Sequence, residues 1–80
     1  MRIVIVGGCG HVGLPLGVSL ANLDCEIIAY DINKNSVDVV NSGSIPFLEE
    51  GLELCLKSAL KHRFRATTNP AAISSAEIVI

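Results

Sequence analysis

Three features of this 80-residue sequence predict an α/β fold built on a parallel sheet. An unbroken apolar run, Ile3 to Val6, leads straight into glycines at the spacing G-x-G-x-x-G: Gly8, Gly10 and Gly13. Short apolar segments then alternate with helix-length amphipathic ones, the pattern of repeated strand–helix–strand units. An acid, Asp31, closes the second apolar segment 18 residues after Gly13. Together these predict the N-terminal part of a Rossmann-type doubly wound sheet, with strand order 3-2-1-4.

The first strand is Ile3–Val6, apolar on both faces as in a buried parallel sheet. The glycines that follow form the dinucleotide-binding fingerprint, and each has a physical task. Gly8 is expected to take the sharp turn off the strand, and Gly10 to leave room for backbone to approach a pyrophosphate. Gly13 is expected to let the next helix pack close to the strand. The first unpaired N–H groups of that helix, with its positive dipole end, would face the phosphates. Val12, Leu16, Leu20 and Leu23 have the spacing of one helical face, and Pro15 falls in the first turn, where a missing N–H costs little.

Asn22-Leu23-Asp24 reads as a turn and Cys25–Asp31 as the second strand. An acid at that strand end suits the ribose diol of a bound dinucleotide and would repel the extra phosphate of NADP, so NAD is the expected cofactor. A helix cap or a solvated strand end is the alternative use of Asp31. No Arg or Lys immediately follows it, only Ile32.

Asn33–Ser42 is predicted as a second helix with Val37 and Val40 inward and Gly43 as a left-handed cap. Ser44-Ile45-Pro46-Phe47 is read as an extended connector, held straight by Pro46. A third helix is predicted from near Glu49 and Glu50 to about His62, with Leu52, Cys55, Leu56, Ala59 and Leu60 on its apolar side. Acids at its start and Lys57, Lys61, His62 and Arg63 at its end suit the helix dipole, so none is assigned chemistry. Phe64–Thr68 is the third predicted strand. Asn69 caps a short turn with Pro70 at its first position, and Glu77–Ile80 begins a fourth strand. Because the sequence stops inside that strand, it is expected to be part of a longer domain.

Composition excludes several classes. Half the residues are hydrophobic, which argues against disorder. A net charge of −2 with scattered basic residues argues against a nucleic-acid surface. No apolar run reaches the roughly 18 residues needed to span a bilayer, so no membrane segment is expected. The N-terminus runs directly into a core strand, without the pattern of a signal peptide. Cys9, Cys25 and Cys55 are odd in number and scattered, which predicts neither disulfides nor a metal site and points to a cytoplasmic setting. Cys9 is read as a small side chain beside the cofactor, since no neighbouring cation would activate its thiol.

Longer stretches carry a resemblance. Gly10-His11-Val12-Gly13-Leu14-Pro15-Leu16, Tyr30-Asp31-Ile32-Asn33 and Arg65-Ala66-Thr67-Thr68-Asn69-Pro70 are three of them. The most specific is Asn41 to Leu52, with its pattern N-x-G-x-x-P-x-x-E-x-G-L. The whole chain resembles the N-terminal part of the UDP-glucose/GDP-mannose dehydrogenase family, which includes the UDP-N-acetylmannosamine dehydrogenases. The resemblance implies an enzyme that oxidises the C6 alcohol of a nucleotide sugar twice, to a uronic acid, with two NAD. It implies that His11 and Val12 line the pyrophosphate through backbone N–H groups and that Asp31 takes the ribose. His11 stands where the family often has an aromatic residue and is read as packing or a phosphate neighbour. The family often has a Lys five residues after the ribose Asp; this chain has Ser36 there, with Lys34 as the available substitute.

The nucleophilic Cys and its assisting Lys, Asn and Asp are implied to lie later than residue 80, so no catalytic residue is assigned here. A nucleotide-sugar substrate would be met through those later domains, and a homo-oligomer is implied. The competing readings are a non-catalytic NAD(H)-sensing module and an inactive fragment.

Overall fold

The computed structural model describes residues 1–80. The elements run β1 (Arg2–Val6), α1 (Gly13–Ala21), β2 (Glu26–Tyr30), α2 (Lys34–Asn41), α3 (Leu52–Leu60), β3 (Phe64–Thr67), a 3₁₀ turn (Pro70–Ser75) and β4 (Ile78–Val79). The four strands form one parallel sheet in the order β3-β2-β1-β4. This is the order expected of the first half of a Rossmann-type sheet.

Strand alternation sorts the side chains between the two faces of the sheet. Ile3, Ile5, Ile27, Ala29, Phe64 and Ala66 face the helices and join Leu14, Val18, Val37, Val40, Leu56 and Ala59 in the core. Val4 and Ile28 point the other way and are also fully buried. The 3₁₀ turn, lying against β1 and β2, covers that side. Asn69 caps this turn as expected, accepting from the Ala71 N–H at 3.0 Å, with Pro70 at its first position. At the start of the sheet, Arg2 and Glu26 are register partners on β1 and β2 and pair at 2.9 Å. The hydrogen bond from Arg2 holds the Glu26 carboxyl below the usual range.

The inward face of α1 only partly follows the Val12-Leu16-Leu20-Leu23 line, of which Leu20 is half-buried against the core. Leu14, Gly17, Val18 and Ala21 are buried, whereas Val12 is 82% exposed, Leu23 is 72% exposed and Leu16 is also exposed. The helix is apolar nearly all round, so hydrophobic spacing could not choose its face. Close approach chose it instead. A Cβ on Gly17 would stand 3.1 Å from Ile5 Cδ1 and from Phe64 Cε2, and 3.3 Å from Ile27 Cγ2. Helix and sheet therefore come together where α1 has no side chain.

The crossover from β2 to β3 holds two helices. In α2, Asn33 caps the start by accepting from the Ser36 N–H at 3.1 Å, and Val37 and Val40 are inward as predicted. Gly43, at φ +92°, takes the left-handed conformation beyond its end. The connector is not straight: the chain bends at Pro46 and Phe47. Glu49 and Glu50 lie outside α3, because Gly51 at φ +81° breaks the backbone just before Leu52. Of the apolar side expected for α3, Leu52, Leu56 and Ala59 are buried and Leu60 is half-buried against the core, whereas Cys55 is exposed. Position 55 lies at the edge of the face that α3 lays on α1, one helical step from Leu52 and Ala59.

Candidate dinucleotide site

The glycine loop sits at the C-terminal end of the sheet, where parallel α/β sheets bind their ligands. The turn off β1 runs through Gly7, Gly8 and Cys9, and its left-handed residue is Gly7, at φ +70°, rather than Gly8. Gly8 has a different reason to lack a side chain. Its N–H bonds to the Tyr30 carbonyl at 3.0 Å, which draws the loop onto β2. A Cβ there would stand 2.6 Å from both Cα and Cβ of Ala29.

Gly10 is the roomiest of the fingerprint glycines, with Gly7 O at 3.3 Å the only near neighbour of an added Cβ. Its N–H bonds to that same carbonyl at 3.1 Å. Gly13 packs against the turn rather than against the strand. A Cβ there would lie 2.5 Å from Gly7 O and 3.0 Å from Gly8 Cα. Gly7 is the residue that the motif spacing missed; the Gly7-Gly8 pair was its only signal.

The fingerprint's loop leads into α1 with the N–H groups of His11, Val12 and Gly13 free of any acceptor in the protein. The residue capping α1 is Val12, whose side chain makes no cap bond. Three adjacent donors at a helix start form a site for an anion, and a diphosphate has the oxygens to use them.

Asp31 lies just past β2, half-buried. Its Oδ2 accepts from the Cys9 N–H at 3.2 Å, and its Oδ1 accepts from the Asn33 N–H at 3.0 Å. Each oxygen keeps a free lone pair, so the carboxylate can still accept from two hydroxyls of a diol. Both the glycine loop and the start of α2 are thereby tied to one side chain. The helix-cap alternative for Asp31 does not hold, because Asn33 is the cap.

Cys9 is buried between these groups. Burial, with a smaller effect from the Asp31 carboxylate, pushes its thiol up to about 12. The sulfur is therefore held protonated and unreactive at neutral pH, as its place without a cationic neighbour leads one to expect.

Lys34 opens α2 one residue past the Asn33 cap. Its Nζ reaches Asp38 Oδ2 at 3.2 Å in an exposed pair. His11 is exposed and stacks on Phe47, ring centroids 4.1 Å apart and planes 28° apart. The structure thus brings Gly8, Gly10, His11, Val12, Gly13 and Asp31 to one end of the sheet, with Lys34 on the adjoining helix. The largest depressions elsewhere are a groove of about 300 Å³ beside Arg63 and Arg65, at the start of β3, and one of about 440 Å³ along the Ile45–Glu50 connector. No helix is long and apolar enough to cross a membrane.

The chain is similar to known proteins of one family. The model of the UDP-glucose/GDP-mannose dehydrogenase family, NAD binding domain, matches residues 1–80. An NDP-N-acetyl-D-galactosaminuronic acid dehydrogenase from Ralstonia nicotianae is 39% identical over 70 residues, covering 86% of this chain and 16% of the relative. A UDP-N-acetyl-D-mannosamine dehydrogenase from Salmonella typhimurium is 38% identical over 68 residues, covering 84% and 16%. Among solved structures, a UDP-D-ManNAc dehydrogenase from Pyrococcus horikoshii superposes with TM-score 0.92 at 25% identity, over 99% of this chain and 19% of that one. A UDP-glucose dehydrogenase from the archaeon Pyrobaculum islandicum gives TM-score 0.90 at 26% identity, over 98% and 18%. The chain therefore spans less than a fifth of the length of each of these relatives.

Proposed function

The chain belongs to the UDP-glucose/GDP-mannose dehydrogenase family, and we propose that its residues hold NAD for the oxidation of a nucleotide sugar at C6. The observation that carries this reading is the Asp31 carboxylate, fixed by the Cys9 and Asn33 N–H groups beside the free N–H groups of residues 11–13. A ribose diol and a diphosphate are the two features of a dinucleotide that such donors and acceptors suit.

In this reading Gly8 and Gly13 let the loop close onto Ala29 and the Gly7 turn, and Gly10 leaves space for the diphosphate. His11, Val12 and Gly13 donate their N–H groups to its oxygens, supported by the positive end of α1. Asp31 accepts from the ribose hydroxyls and repels a phosphate in the same place, which selects NAD over NADP. Lys34 is the cation nearest in sequence to that ribose. Its exposed pair with Asp38, of a kind worth about 0–1 kcal/mol, is weak enough to exchange for a contact with the cofactor. When bound, NAD supplies the hydride acceptor. The sugar, the nucleophilic Cys and its helpers belong to the remainder of the protein, where two successive oxidations would give the uronic acid. A homo-oligomer is part of the same reading.

The test is NADH production by the full-length protein offered UDP-N-acetylmannosamine, UDP-N-acetylgalactosamine, UDP-glucose or GDP-mannose. Two NADH formed per sugar consumed is the expected result. Dinucleotide binding without turnover on any of these sugars would reduce the proposal to a binding module.

A further inference from the structure

The Asn41–Leu52 stretch is the most distinctive part of the sequence, yet none of it is among the dinucleotide-site residues above. Its structure suggests what part of it does. Phe47, at the bend after Pro46, is half-buried and packs on the core cluster, as does Ile45. Its ring also carries the exposed imidazole of His11 at 4.1 Å. His11 in turn is the first of the three consecutive residues whose N–H groups lack an acceptor. Phe47 thus links the core to the open side of the glycine loop. The other half of the same crossover, α3, lies on α1, the helix that the loop leads into.

On this geometry, and resting on the NAD-binding reading above, we propose that Phe47 is a positioning residue for the dinucleotide. By stacking on His11 it fixes the backbone of residues 10–13 before the diphosphate arrives. Without the stack, the N–H groups of His11 and Val12 have no side chain holding them in place: Val12 is exposed, and α1 begins without a side-chain cap. Ordering them would then oppose binding, so affinity falls although Phe47 touches no part of the ligand. Aromatic pairing of this kind corresponds to a factor of roughly two to ten in an equilibrium constant.

The experiment is calorimetric titration of the full-length protein with NAD+ in a double-mutant cycle of F47A and H11A. Each single variant is expected to weaken binding about two- to tenfold, with the double variant no weaker than the worse single one. F47Y, which keeps a stacking ring, is expected to restore most of the affinity, whereas F47L, which keeps apolar bulk alone, is not. A purely structural Phe47 would lower the melting temperature of F47A and F47L without coupling to His11. Fully additive losses, or wild-type affinity in F47A, would overturn the inference and leave the NAD-binding reading standing. Absence of NAD+ binding by the wild-type protein would overturn both.

Discussion

The backbone N–H of Cys9 donates to Oδ2 of Asp31 at 3.2 Å, joining the glycine loop to the end of β2. One side chain therefore shapes the loop and, on the NAD-binding reading, also presents acceptors to a ribose. Asp31→Ala should lose both functions at once. The loss of two hydrogen bonds to backbone predicts a destabilisation of about 1–3 kcal/mol, read by denaturant unfolding. NAD+ affinity in the same variant should fall at least about tenfold, the scale expected for loss of bonds to a charged acceptor.

The glycines separate by the job each performs. Gly8→Ala forces its Cβ to within 2.6 Å of Ala29, and Gly13→Ala forces its Cβ to within 2.5 Å of Gly7 O. Each should cost about 1–3 kcal/mol of stability through displaced backbone. Gly10→Ala meets only Gly7 O, at 3.3 Å. It should melt near wild type while losing NAD+ affinity, because on the NAD-binding reading its Cβ takes up space that the diphosphate needs. Thermal melts and NAD+ titrations of the three variants check this pattern.

Asn41 predicts a stability effect remote from any ligand. Its Nδ2 donates to the Ala66 carbonyl and its Oδ1 accepts from the Ala66 N–H, both at 2.9 Å. The side-chain amide thus pairs with the outer edge of β3 as a neighbouring strand would. Asn41→Leu leaves both backbone groups without that partner and should cost about 1–3 kcal/mol. Asn41→Asp keeps an acceptor for the Ala66 N–H but sets a carboxylate oxygen against the Ala66 carbonyl, and should cost at least as much. Urea unfolding of both variants measures the difference.

Alkaline pH should destabilise the fold through Cys9. Its thiol is raised from 9.0 to about 12 in the folded protein, so above pH 9 the unfolded chain loses this proton first. Native protein then holds more protons than unfolded protein, and stability falls as pH rises through that window. The slope approaches 1.4 kcal/mol per pH unit for a single group. Cys9→Ala should remove this component of the slope, which unfolding curves between pH 8 and pH 11, on the order of the thiol range, would reveal.

Strand order, caps and the residues gathered at the C-terminal end of the sheet were legible from local patterns and spacing. Apolar runs give the strands, Asn33 and Asn69 give the caps, and the Gly8–Gly13 spacing with Asp31 gives the site. What escaped depends on contacts between distant segments. The inward face of α1 was set by the absence of a side chain at Gly17, not by where its leucines fall. The left-handed position in the turn fell to Gly7, while Gly8 is reserved for Ala29. Neither the Asn41–Ala66 pairing nor the His11–Phe47 stack has a periodic signature; each joins segments that meet only when the sheet forms.

The central claim is that Asp31 and the glycine loop form an NAD site. Its most direct test is a paired titration of the full-length protein with NAD+ and NADP+. Saturable NAD+ binding is expected, with NADP+ weaker by at least about tenfold because its phosphate would meet the Asp31 carboxylate. Equal affinity for the two, or no binding of NAD+, would contradict it.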